Sequence, residues 1–189
     1  MATMNSSEVT IGAAAATGAI WVAPKGTSLP TDATTSLGGT WKLLGFTSDA
    51  GVQISETSNA TAIRAWEGRT EVYNVTTEYT ESVAFMPIQC NADVAKLMWG
   101  DSAVVTATNT ITAKHHGKTL EPVCIVIETT PREGIVKRYC MTAQLVERGA
   151  ATLDGTQVDG RTLTFNAIAD SSGYTMYEYT AITPSGQTS

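Results

Sequence analysis

The chain has 189 residues and a mass of 19.9 kDa, enough for one domain with its own core and too little for two substantial ones. Its net charge of −6 disfavours a nucleic-acid grip, which needs clustered Lys and Arg. Only 16% of residues are charged; 31 threonines take up much of the surface, and Thr, Val, Ile and Tyr suit a pleated, half-buried sheet. The composition therefore predicts a mainly β protein. Cys90, Cys124 and Cys140 are odd in number and sparse, a pattern of reduced thiols in a cytosol rather than of a disulfide scaffold.

Residues 1–17 are small and polar without a period, and are expected to form a flexible N-terminal arm that orders against something else. A single β domain is expected over 18–182, and 183–189 read as a C-terminal tail. Ala19–Ala23 is a short apolar strand that Pro24 ends. From Lys25 to Ser48, recurrent Gly and Pro predict a long loop with one weak strand at Trp41–Phe46. Val52 and Ile54 begin a short strand, and Thr57–Arg69 reads as a second long loop. Exposed large side chains in these loops, Leu29, Trp41, Ile63 and Trp66, are candidate contacts with other subunits.

Period-two alternation is clearest from Glu71 to Gln89, with Tyr73, Val75, Thr77, Tyr79, Val83 and Phe85 at odd positions and Asn74, Thr76, Glu78, Thr80 and Ser82 at even ones. Such a run either turns near Glu78–Glu81 or belongs to a large assembly, because single strands rarely exceed about ten residues. Asn91 as N-cap, Asp93 in the first turn and Gly100 as stop predict one short helix over about 91–99, with Val94, Leu97 and Met98 on one stripe. Ala103–Thr112 is read as a strand that turns at His115–Lys118 into Val123–Thr129. Gly134–Glu147 is a further long strand. Arg161–Ala169 and Tyr174–Ile182 are expected to pair as a hairpin through Asp170–Gly173. The sum is a sandwich or barrel with one helix.

No reactive constellation is present. His115 and His116 are adjacent in a turn with no Cys or carboxylate at metal-ligand spacing. Cys140 has no histidine partner on its strand. Gly38-Gly39-Thr40 lacks the Lys and the helix of a phosphate loop. Glu71, Glu78 and Glu81 read as a solvated acidic face, since nothing selects two of them for paired-carboxylate chemistry. No cofactor or metal is expected, and no enzymatic activity. The longest apolar stretch, Gly18–Pro24, is too short to cross a membrane.

The first half of the chain resembles the major tail tube proteins of long, non-contractile-tailed (siphovirus-type) bacteriophages. The resemblance lies in Thr17–Asp32 (TGAIWVAPKGTSLPTD), Leu44–Val52 (LGFTSDAGV), Ile63–Gly68 (IRAWEG) and Asn91–Gly100 (NADVAKLMWG), together covering about residues 17–100. It implies a β-sandwich- or barrel-like subunit that forms hexameric rings, stacked helically into a tube through which DNA passes without specific binding. It also implies neighbours in the virion, namely a tape-measure protein, a tail terminator and tail-tip proteins, with the host cytoplasm as the place of assembly. Six copies at −6 each would carry about −36, so a lumen of that sign repels phosphate. Asn74, Thr76, Glu78, Thr80 and Ser82 are the candidate lumen-facing residues, and Leu29, Trp41, Ile63 and Trp66 the candidate ring-stacking contacts. The alternatives are the tube protein of a contractile or secretion machine and a carbohydrate-binding β-sandwich that uses Trp41, Trp66 or Trp99.

Overall fold

The computed structural model describes residues 10–15, 18–132, 134–156 and 158–182. Ten strands and one α-helix follow in chain order: β1 Ile20–Pro24, β2 Lys42–Leu43, β3 Thr47–Arg64, β4 Glu71–Pro87, α1 Ala92–Trp99, β5 Val104–Ala107, β6 Thr110–Ala113, β7 Val123–Arg132, β8 Ile135–Arg148, β9 Leu163–Ala167 and β10 Met176–Ile182. The fold is mainly β, as its Thr- and Val-rich composition predicts. The expected tail at 183–189 and most of the expected arm lie outside the described residues. Of the arm, Ala14 makes a β-bridge to Thr129.

One antiparallel sheet in the order β2-β1-β7-β8-β9-β4-β3 takes in every strand but β5 and β6, with β10 on β8 beside that path. Were it flat, six strand spacings would hold β2 and β3 about 29 Å apart. The chain nevertheless passes from Leu43 in β2 to Thr47 in β3 in four steps, at most roughly 14 Å. The sheet is therefore curled into an open barrel. Gly45 sits at this crossing with φ 92°, in the left-handed region. A Cβ there would lie 2.0 Å from Gln89 Oε1, the atom that accepts the Phe46 N–H at 3.2 Å.

The barrel interior is the main core. Ile20, Val83, Phe85, Ile125, Ile127, Met141, Leu163 and Phe165 fill it, and Val94 and Leu97 of α1 close one end. The helix begins as its sequence predicts: Asn91 Oδ1 accepts the Val94 N–H at 2.8 Å, and Gly100 ends it. A second, smaller core lies on the outer face of β1, β7 and β8, where Trp41 covers Ala23, Cys124, Val126 and Cys140, with Leu29 and Leu37 packed beside it. Alternation on β8 thus fills two apolar layers, Met141 and Ala143 inward and Cys140 outward.

The loop from Lys25 to Trp41 is fastened over this second core by Arg138, which is 3% exposed. Its guanidinium pairs with Glu128 and donates to the carbonyls of Asp32 and Thr35 at 2.9 and 3.0 Å. Asp32 shapes the same turn by accepting from the Thr34 and Thr35 amides and hydroxyls, and these bonds, led by the Thr35 hydroxyl, hold its carboxyl well below the usual carboxylate range. Burial pushes the Cys140 thiol up to about 12, and Cys124 is also buried, whereas Cys90 is exposed. A disulfide-exchange thiol reagent at pH 8 is therefore expected to label one cysteine per native chain and three after denaturation. Fast native labelling of a second thiol would contradict this packing.

Three pairings differ from the sequence expectation. Ala103–Thr112 does not pair with 123–129; it folds back on itself at Asn109, φ 120°, as the β5–β6 hairpin. Thr57–Arg64 is not loop but the outer half of β3, zipped to β4. Finally, β9 and β10 form no hairpin. They lie end to end along one edge of β8, β10 against Ile135–Met141 and β9 against Ala143–Arg148, because β8 is long enough to seat both. The turn at Asp170–Gly173 bulges out between them.

Candidate assembly surface

The two longest strands are the ones that the barrel supports least. β4 pairs with β9 only from Ser82 to Phe85. Beyond Ser82, β3 and β4 continue as a two-stranded ribbon for about ten residues, roughly 33 Å, to a tip at Ala65–Thr70. The tip closes with the Ala65 N–H donating to the Thr70 carbonyl at 2.8 Å, and Gly68 and Arg69 adopt φ 67° and 55°. Every β4 residue from Glu71 to Thr80 is exposed, on both faces. The long period-two run is thus one strand, with no turn near Glu78–Glu81.

The register decides which side chains share a face, since residues directly opposite in an antiparallel pair point the same way. Ile54, Glu56 and Ser58 oppose Val83, Glu81 and Tyr79 on the interior side, while Ser55, Thr57 and Asn59 oppose Ser82, Thr80 and Glu78 on the other. Asn59 Nδ2 donates to Glu78 Oε2 at 2.8 Å across that outer face. Next to this pair, Ala60 opposes Thr76, so Thr77 is an extra residue in β4, a β-bulge. Past it the alternation of β4 inverts. Asn74 and Thr76 join Ala62 and Ala60 on the interior side, and Tyr73 and Val75 emerge on the outer side opposite Ile63 and Thr61. A second irregularity at Val72 brings Glu71 back to the side of Asn74, whose Nδ2 donates to Glu71 Oε1 at 2.7 Å.

The five expected lumen-facing residues therefore do not form one face. Glu78, Thr80 and Ser82 share a side; Asn74 and Thr76 lie on the opposite one. The reason is local: a bulge adds one residue, and with a side-chain period of two that exchanges the faces beyond it. Tyr73 and Val75, which strict alternation would set on the same side as the core residues Val83 and Phe85, are 65% and 38% exposed.

Among the four expected stacking contacts, Ile63 and Trp66 are on the ribbon, 49% and 95% exposed. Leu29, in the Lys25–Trp41 loop, is half-buried against the second core, and Trp41, expected at the surface, is buried at 7%. That loop doubles back onto β1 and β7, so its indole finds an apolar partner in its own subunit. Sequence reading missed Val72, Tyr73 and Val75 as ribbon-surface residues, because strict alternation placed the latter two inside.

An open barrel from which a bare, partly apolar two-stranded ribbon projects is the form of an assembly subunit, since such a ribbon is marginal alone and gains stability from a partner. The model of the phage tail tube protein family matches residues 2–185, and the chain belongs to that family. It is a structural, non-enzymatic component of the phage virion tail. No curated protein matches the chain.

Proposed function

We propose that the protein is the tail tube subunit of a long, non-contractile tail, assembling as hexameric rings that stack head to tail around a channel for DNA. The observation that supports this reading most is the unsupported β3–β4 ribbon, whose exposed Ile63, Trp66, Tyr73 and Val75 have no partner layer among the described residues. The tape-measure protein would occupy the tube, with the terminator and tail-tip proteins at its ends. Light scattering on a sizing column, with negative-stain electron microscopy, tests it: the expected products are rings of six or hollow tubes. A species that stays monomeric at every concentration would overturn it.

The lumen-facing set becomes Glu78, Thr80 and Ser82 with Ser55, Thr57 and Asn59, a hydroxyl- and carboxylate-bearing strip on one face of the ribbon base. A carboxylate strip repels phosphate at short range and gives DNA nothing to bind. Glu78→Lys is expected to leave tube length and yield unchanged and to slow DNA release from assembled particles, most visibly at low salt. Release at the wild-type rate would remove Glu78 from the lumen.

A further inference from the structure

Five of the chain's six lysines gather at one place. Lys25, Lys42, Lys96, Lys114 and Lys118 line a cavity of about 1050 Å³ at the α1 end of the barrel, with an apolar floor that includes Leu97, Leu120, Leu145 and Phe165. Asp93, Asp101 and Glu121 share the rim, and ion pairs engage Lys25 with Glu121 at 3.8 Å and Lys96 with Asp101 at 3.7 Å. Among the described residues, Lys42, Lys114 and Lys118 make no ion pair, which leaves the rim net positive on an acidic chain. Two stacked contacts hold the β5–β6 side of this cup in place: Trp99 lies on the His115 ring at 3.8 Å and under the Arg148 guanidinium at 4.8 Å.

The ribbon has the complementary character. Residues 47–81 contain six carboxylates, two arginines and no lysine, and none of those carboxylates takes part in an ion pair among the described residues. Its tip presents Trp66, bare, with Glu67 and Glu71 beside it. Both arginines, Arg64 and Arg69, are here too, so the ribbon's net charge of −4 comes from the four carboxylates nearer the barrel, and Glu67 and Glu71 are the acidic groups next to the indole. Strand directions set the two features at opposite ends. The cup is lined by Pro24, Val123 and Leu145, the end of β1, the start of β7 and the last third of β8. β4 runs alongside β9 at Phe85–Ser82, and its outer part continues from Ser82 away from that end. A cup at one end and an acidic, aromatic-tipped ribbon at the other form a heterologous pair, and repeating such a contact stacks copies without limit.

We infer that the lysine-rimmed cup receives the ribbon tip of a second copy of this chain, with Trp66 on the apolar floor and Glu67 and Glu71 against Lys42, Lys114 and Lys118. The inference rests on the stacked-ring reading above and adds to it which surface is the socket. Charge steers the approach, and the buried indole supplies the contact that holds.

Full-length charge-reversed variants test it. Lys42→Glu/Lys114→Glu/Lys118→Glu reverses the rim, and Glu67→Lys/Glu71→Lys reverses the tip; all five positions are exposed, and far-UV circular dichroism checks that both variants fold. Each variant alone is expected to give rings that do not stack. An equimolar mixture is expected to regain tubes, since a reversed rim then meets a reversed tip and an unreversed rim an unreversed tip. Either variant stacking alone like wild type, or a mixture no better than its parts, overturns the docking. A wild type that never assembles overturns the ring reading instead, and sedimentation velocity of the mixture then decides the docking. Association at least about tenfold tighter than either variant alone supports it, and none overturns it.

Discussion

Replacing Trp66 with alanine is expected to yield folded, soluble subunits that do not elongate into tubes. The indole is 95% exposed, so its removal takes almost no packing from the subunit and should change folding stability by no more than about 0.5 kcal/mol. An exposed Trp at the end of a ribbon is, however, the kind of rigid apolar anchor that carries a disproportionate share of an interface, and truncating such an anchor costs about 2 kcal/mol or more. In a tube that loss recurs at each copy in each ring, so a factor of about 30 per contact suffices to suppress growth. The expected result is an unchanged thermal melt together with an absence of tubes by electron microscopy. Tubes of normal length from Trp66→Ala would remove the ribbon tip from the stacking interface.

Arg138→Met is expected to produce the largest loss of subunit stability among single changes outside the barrel interior. The methionine keeps most of the side-chain volume while leaving Glu128 and the carbonyls of Asp32 and Thr35 without their donor. Breaking a buried pair in this way costs about 3–5 kcal/mol. For a domain of this size that corresponds to a fall in melting temperature of roughly 6–20 °C. The double variant Arg138→Met/Glu128→Met should recover much of the loss, because it removes the stranded charge as well. Calorimetry on the two variants decides it; equal melting temperatures for the single variant and wild type would mean that the loop is held by Trp41 and Leu29 alone. Limited proteolysis gives an independent reading, with faster cleavage expected between Gly26 and Thr40 in the single variant.

Much of the fold was legible because the relevant signals are local. Pro24 ending β1, the Asn91 cap, the Gly100 stop and the alternation along β8 each act within a few residues. The failures share the opposite property. Nothing in Glu71–Glu81 marks Thr77 as an inserted residue, since the bulge is defined by its pairing with Asn59 and Ala60 in another strand. Asp170–Gly173 has hairpin composition, yet the partner of both flanking strands is β8, and only the length of β8 reveals room for two. Trp41 lies among turn residues and reads as exposed; its burial depends on the loop folding back over Cys124 and Val126. Arg138, between Lys137 and Tyr139, carries no sign that it is sealed under a loop. The candidate surface was half legible for the same reason: Ile63 and Trp66 stand out by type, whereas the facing of Asn74, Thr76, Tyr73 and Val75 is a property of register.

The direction in which β4 leaves the barrel has a mechanical consequence. A pull on the Ala65–Thr70 turn acts along the strand axes, so it reaches the body as shear on the hydrogen bonds between β4 and β9 at Ser82–Phe85, which are loaded together rather than peeled one at a time. The other arm of the load enters through Thr47 and the Gly45 crossing to Leu44, whose amide is bonded to the Ile20 carbonyl on β1. Tension on the ribbon is thereby shared between the two margins of the curled sheet and draws them toward one another, so that the barrel tightens when it is stretched.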